Sequence, residues 1–197
     1  MEIGSKEAAS DLKPAAVKNG LIWAAINIIV FLLVFYAAPS LMGNFAYGIV
    51  QFAIGIGLAI YFTLDLRKKA GGYWSFREAL SGIFTTFFVQ TVVLTLFTVV
   101  FAKWIEPTYA DVVREITLNT TTRMAEQLSN DQDQIDEIIE QAEQSIEKQV
   151  NPGFKDVLQG LAINAIMYFV AALIFAAIFK RERPVFQTIS DNPEAGV

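Results

Sequence analysis

The chain has 197 residues, 54% of them hydrophobic, and a formal net charge of −5. It contains no Cys and no His, which excludes disulfides, thiolate chemistry, a histidine proton relay, and zinc or haem held by those side chains. The acidic balance gives no basic surface for nucleic acid, and no cofactor is expected.

Residues 1–16 read as a tail containing Lys6 and Lys13, followed by an apolar run over 17–38. After Lys18 the next charged residue is Asp65, at the far end of a second run over 45–65. A bilayer core about 30 Å thick needs roughly 20 apolar helical residues to cross it, and both runs reach that length. A soluble amphipathic helix needs a charged stripe, which neither run has. The first run is too long for the apolar part of a cleaved leader, and Phe35, Tyr36 and Pro39 make a poor cleavage site. Between the runs, residues 39–44 form an uncharged turn.

Residues 66–78 hold Arg67, Lys68, Lys69 and Arg77, with a turn signal at Gly71-Gly72. Ser75 followed by Glu78 has the spacing of a capping box and predicts a helix start. Arg67, Lys68 and Lys69 are suited to anionic lipid, at about 1 kcal/mol per charge. A third run covers 79–104 and a fourth 156–179, with residues 180–197 as a closing tail. Ten of the fifteen Lys and Arg residues lie before or at the very start of the first run, where Lys18 stands, between the second and third, and after the fourth. Positive residues stay on the cytoplasmic side, so both termini are expected there. Trp and Tyr collect at membrane interfaces. By depth, Trp23, Tyr61, Tyr73 and Trp74 are expected at the inner level, and Tyr36, Tyr47, Trp104 and Tyr109 at the outer one.

The acidic interval 105–155 reads as two helices outside the cytoplasm. Pro107 suits a first turn, and apolar residues recur at helical spacing from Tyr109 to Leu128. Ser129-Asn130-Asp131 is a turn and helix start. Ile135, Ile138, Ile139, Ala142, Ile146 and Val150 then form one stripe, stopped by Asn151-Pro-Gly153. An antiparallel hairpin with the seams packed together is the first expectation; helix two lying on a partner or on the membrane is the other. Ile135, Ile138, Ile139, Ala142 and Ile146 are thus the partner-contact candidates, toward a membrane or periplasmic protein or a second copy. Asp131, Asp133, Asp136, Glu137 and Glu140 do not make a calcium loop, because Asp136 stands where the sharp turn requires Gly; no metal site is expected.

Five polar residues fall inside the runs. Asn27 and Gln90 come out near mid-depth, Gln51 and Asn164 in the outer third, and Tyr168 near the middle. Polar groups in hydrocarbon need partners, so the depths predict Asn27 paired with Gln90 and Gln51 with Asn164, facing inward. Gly48, Gly55, Gly57 and Ala59 in the second run, and Gly160, Ala162, Ala165, Ala171 and Ala172 in the fourth, predict that those two spans sit at the crowded centre.

The segment from Leu66-Arg-Lys-Lys-Ala-Gly-Gly-Tyr-Trp-Ser-Phe to Gly82, the ending Trp104-Ile-Glu-Pro107, the acidic helix pair, Asn151-Pro-Gly-Phe154 and Lys180-Arg-Glu-Arg183 together resemble the domain-of-unknown-function 4199 family of small bacterial membrane proteins. The likeness spans roughly 15 to 183, and Arg77 stands where those proteins often have a small residue. It implies four spans in the inner membrane and carries no activity. The fold class expected is all-α, a four-helix membrane bundle with an extracytoplasmic helical hairpin between spans three and four. The function expected is non-enzymatic assembly or partner contact through the acidic helices. The alternative is a small-solute carrier or channel using the intramembrane polar residues.

Overall fold

The computed structural model describes residues 3–129, 131–150 and 152–182. Asn130 in the expected turn, Asn151 in the expected stop, and the tail from Arg183 onward lie outside them. Among the described residues the chain is helical, without strands. It runs α1 Ile3–Ala37, a 3₁₀ turn Pro39–Gly43, α2 Phe45–Lys69, α3 Phe76–Val100, a π-helical turn Phe101–Ile105, α4 Tyr109–Leu128, α5 Gln132–Val150 and α6 Phe154–Phe179. Four stretches are long and apolar enough to cross a membrane: Leu12–Ala37, Phe45–Lys69, Phe76–Ile105 and Phe154–Phe179.

These bounds shift several expectations. α1 begins well before residue 17 and runs through Pro14, because Leu12 and Ala16 are buried in the helix core and that packing offsets the hydrogen bond a proline removes. The basic triplet Arg67, Lys68 and Lys69 is the last turn of α2 rather than loop, where cations complement the helix dipole. α3 starts with the expected capping box: the Ser75 amide donates to Glu78 Oε2 at 2.8 Å, and the Glu78 amide donates to Ser75 Oγ at 3.3 Å. Pro107 precedes α4 instead of opening it, since Tyr109 is the first residue of that helix.

The spine of the molecule is α3, not the glycine-rich spans. Its buried residues Ala79, Gly82, Ile83, Thr86, Phe87, Gln90 and Thr91 recur at helical spacing between α1 on one side and α6 on the other. α1 approaches most closely at Gly20, where a Cβ would lie 2.8 Å from both the Thr86 carbonyl oxygen and Val89 Cβ. By contrast, a Cβ on Gly48, Gly55, Gly57 or Gly160 would meet nothing within 4 Å. The small residues that bring helices together are Ala16, Gly20 and Ala24 on α1 and Ala172 and Ala176 on α6, each spaced by four so as to share a face.

Each end of the four long helices has its own closure. At the loop end, Gly71 and Gly72 both adopt φ +83°, a left-handed conformation that costs other residues but not glycine. They turn the chain so that the Trp74 amide donates to the Arg181 carbonyl at 2.9 Å, Arg181 N–H returns a bond to the Trp74 carbonyl at 3.1 Å, and Trp74 Nε1 donates to the Phe179 carbonyl at 2.9 Å. Trp74 is 2% exposed, and the Arg181 guanidinium stands 5.1 Å from the centroid of the Tyr73 ring. Trp74, and likewise Trp23, are therefore core residues and not interfacial ones. Tyr36, Tyr61 and Trp104 are exposed, as an interfacial belt requires.

At the opposite, roof end, α4 and α5 lie against each other. Tyr109, Val113, Ile146 and Val150 are buried in one cluster with Phe35 and Phe101, and Arg114 donates to Glu147 at 2.8 Å. α4 also lies on the 3₁₀ turn: Thr120 Oγ1 donates to the Gly43 carbonyl at 3.4 Å, and a Cβ on Gly43 would sit 2.7 Å from Ile116 Cγ2. Over its first three turns this helix is a roof and not an arm standing free in water.

Candidate functional site

Four of the five intramembrane polar residues meet in one place. Asn27 from α1, Gln51 from α2, Gln90 from α3 and Tyr168 from α6 line a chamber of about 420 Å³, together with Tyr47, Thr98 and an apolar wall of Val30, Phe31, Val34 and Leu94. No charged side chain lines it. Each helix brings its polar residue there because burying an amide in hydrocarbon is costly without company. The expected direct pairs do not form: among the described residues no hydrogen bond joins Asn27 to Gln90 or Gln51 to Asn164, and Asn27 and Gln90 face the same chamber. Asn164 is exposed. It stands one turn from Tyr168 on the same face of α6, toward the roof end.

The polar groups are incompletely satisfied. Gln90 is 5% exposed, and its Oε1 has only the Thr91 hydroxyl at 3.3 Å, a hydroxyl that also lies 2.9 Å from the Phe87 carbonyl. One proton serves both oxygens. Gln51 Oε1 is buried with no partner at all. A buried acceptor left unpaired costs about 1 to 3 kcal/mol, so the chamber is poised to gain from any molecule that brings a donor.

Aromatic side chains pack toward both ends of the chamber. Toward the roof, Tyr109, the first residue of α4, lines the chamber beside Met42 and packs on Phe101 and Phe35 with ring centroids 5.7 and 5.9 Å apart. Burial pushes the Tyr109 phenol above its ordinary pKa, so the hydroxyl keeps its proton. The π-helical turn sets this geometry, since the Glu106 amide bonds back to the Phe101 carbonyl at 2.8 Å and the chain then turns at Pro107. Glu106 ties the junction down: Thr108 Oγ1 donates to Oε1 at 2.6 Å and Tyr36 OH donates to Oε2 at 3.0 Å. Those two donors, Thr108 first, hold the Glu106 carboxyl below its ordinary pKa of 4.5. Toward the loop end, Phe87 meets Tyr168 at 5.8 Å and the edge of Trp23 at 5.5 Å, and Trp23 stacks on Phe62 at 5.7 Å.

The other expected site residues are placed elsewhere. Of the partner-contact candidates, Ile135 and Ile146 are buried and Ile138, Ile139 and Ala142 half-buried, with Ile146 packed in the cluster beneath α4. Asp131 serves as a cap, accepting from the Asp133 amide at 3.1 Å. In the basic triplet, Lys68 is exposed and Arg67 half-buried, whereas Lys69 pairs with Asp65 and approaches Asn19 Oδ1. Asn19, 2% exposed, donates to Asp65 Oδ2 at 2.8 Å. Sequence reasoning missed this clasp between α1 and α2. The signal was present in Asp65 and Lys69 at i, i+4 spacing; Asn19, 46 residues distant, had none.

Four membrane-length helices around a shared polar chamber define a multi-pass helical membrane protein. Over residues 18–181 the chain matches the model of the family described as protein of unknown function, DUF4199, and it belongs to that family. No curated protein and no solved structure matches it.

Proposed function

We propose that this is a non-enzymatic protein of a bacterial inner membrane, with both termini cytoplasmic and α4–α5 outside, and that its chamber takes up a small uncharged molecule by hydrogen bonding. The single observation that carries the reading is the convergence of Asn27, Gln51, Gln90 and Tyr168 on one uncharged cavity with Gln51 Oε1 unpartnered. A cavity of this size lies within the range of small-molecule sites, about 300 to 1,000 Å³. The absence of charge from its wall disfavours ions, which need compensating groups in a low-dielectric site. The aromatic packing of Trp23, Phe62 and Phe87 toward the loop end favours a pocket over an open pore.

Native mass spectrometry of the full chain, extracted from its own membranes in mild detergent, tests this. The wild type is expected to carry a small neutral adduct, and Gln51→Leu and Gln90→Leu are each expected to lower its occupancy about tenfold, as loss of roughly 1.4 kcal/mol implies. Equal occupancy in all three ends the reading.

A second reading, partner contact through the acidic helices, is favoured by Met124 and Leu128, 58% and 79% exposed on α4. Exposed apolar side chains in an acidic surface suit a protein partner. A co-purifying protein lost on Met124→Asp with Leu128→Asp supports it, and an unchanged set of co-purifying proteins ends it.

A further inference from the structure

Tyr109 and Met42 line the chamber at its roof end, and toward the loop end Phe87 packs between Tyr168 and Trp23, so its open side decides what reaches it. α2 and α6 carry their buried residues only toward their loop ends. In α2 the buried residues are Ala59, Phe62, Thr63 and Leu66, and none lies between Phe45 and Leu58. In α6 they are Ala172 and Ala176, and none lies between Phe154 and Val170. Contact between α2 and α6 is accordingly sparse. With no buried residue on either helix over those stretches, the side of the chamber between Gln51 of α2 and Tyr168 of α6 is loosely packed. Its rim carries Gln51 and Tyr168 from the chamber and the exposed Asn164, flanked by Phe52 at 71% and Met167 at 65% exposure. A protein membrane span whose apolar side chains are this exposed faces hydrocarbon, so this side opens onto the acyl chains and not onto water.

We infer that the chamber is loaded sideways from the bilayer, through the loosely packed side between α2 and α6, and that its ligand is a neutral amphiphile. The headgroup bears hydroxyl or amide donors for Gln51 and Gln90, and the tail stays among the lipids outside. This rests on the chamber being the ligand site. The charge pattern supports the lipid class: a zwitterionic or anionic headgroup would bring a charge into a cavity that offers none in return, whereas an uncharged headgroup needs only the hydrogen bonds that Gln51 Oε1 and Gln90 lack. The tail stays among the lipids because an acyl chain gains little by leaving one hydrocarbon environment for another.

The test uses the full-length protein in nanodiscs and a diacylglycerol carrying a diazirine on its glycerol-proximal acyl carbons, with labelled residues mapped by mass spectrometry. Saturable labelling at residues 47–51 and 164–168 is expected, displaced by excess unlabelled diacylglycerol. It is expected to fall at least fivefold in Gln51→Leu and Gln90→Leu, while background labelling of the lipid-facing residues around Phe88 and Leu96 on α3 stays constant. Gln51→Met provides a variant of nearly the same size without the acceptor, and it is expected to abolish the saturable label equally. Unsaturable labelling that matches the α3 background and is unaffected by the substitutions overturns lateral loading. Should the native adduct still vary with Gln51 and Gln90 in that case, the chamber remains a ligand site fed from water; should it not, the chamber assignment falls as well.

Discussion

The two halves of α2 behave as different kinds of helix, although both are apolar and both lie in one continuous segment. From Ala59 onward it is fastened: Phe62 stacks on Trp23, Leu66 is fully buried, and Asp65 is clasped by Asn19 and Lys69. From Phe45 to Leu58 no residue is buried, and two glycines at positions 55 and 57 face open space. In lipid, apolar side chains gain little by leaving one hydrocarbon environment for another, so packing, small-residue contact and hydrogen bonds decide where a span is held. α2 has those features at one end only. The chamber exists because the other end was left without them.

Removing the fastening is expected to have the largest effect. Trp74→Ala deletes a side chain that is 2% exposed and the indole bond to the Phe179 carbonyl. A loss of about 3 to 5 kcal/mol is expected, the range for a large buried aromatic, read as a drop in thermal unfolding temperature in detergent. Trp74→Phe should recover most of the packing but not the bond. Gly20→Ala comes next, because the new Cβ would meet a backbone oxygen at 2.8 Å and backbone cannot rotate away as a side-chain tip can. Overpacking of this kind costs about 1 to 3 kcal/mol. Asn19→Ala is expected to cost about 1 to 2 kcal/mol by leaving Asp65 with a single strong partner. It should also loosen α2 relative to α1 in hydrogen exchange without altering α3.

How far the sequence foretold this follows the same division. The spans, the capping box at Ser75 and Glu78, and the two acidic helices were legible because each rests on local spacing. The chamber was half legible: depth counting put Asn27, Gln90 and Tyr168 near mid-depth and Gln51 with Asn164 in the outer third, all facing inward, but it predicted direct pairs, since counting gives height along the helix and not the distance between helices. The glycines misled for a related reason. Gly48, Gly55 and Gly57 have the composition of a packing face, whereas Ala16, Gly20 and Ala24 have its spacing, and spacing is what lets two backbones approach. The stripe on α5 had a clear period, but a period cannot name what covers it, and here α4 does. The clasp of Asn19 with Asp65 and the knot of Trp74 with Arg181 join residues remote in the chain, which no local pattern encodes.

The roof offers a subtler test of the loose end. Glu106 has its folded pKa depressed by the Thr108 and Tyr36 hydroxyls. Its contribution to holding the junction is therefore complete above the ordinary carboxyl value of 4.5 and is lost as the pH falls through the lower folded value. Trp104, two residues away and 75% exposed, should report it. Its emission is expected to stay constant from pH 7 to 4.5 and to change below that, while Glu106→Gln shows the acid-form signal at every pH. A change centred at or above 4.5 would mean that the two hydroxyls do not hold the carboxylate.

The smallest expected effect carries the sharpest contrast. Gly55→Ala adds the same methyl group as Gly20→Ala, at a site of the same residue type in a helix of the same class, yet nothing lies within 4 Å of the new atom. Stability is expected to move by no more than about 0.5 kcal/mol, as for any change without a contact to disturb, and native adduct occupancy should not move. A loss at Gly55 comparable to that at Gly20 would require a surface pressed against the free half of α2 in the membrane. That surface would have to come from another polypeptide, because no part of this chain's described residues reaches it. It would also stand on the helix that borders, with α6, the open side of the chamber, so the same measurement that weighs one methyl group reports whether that side faces lipid or protein.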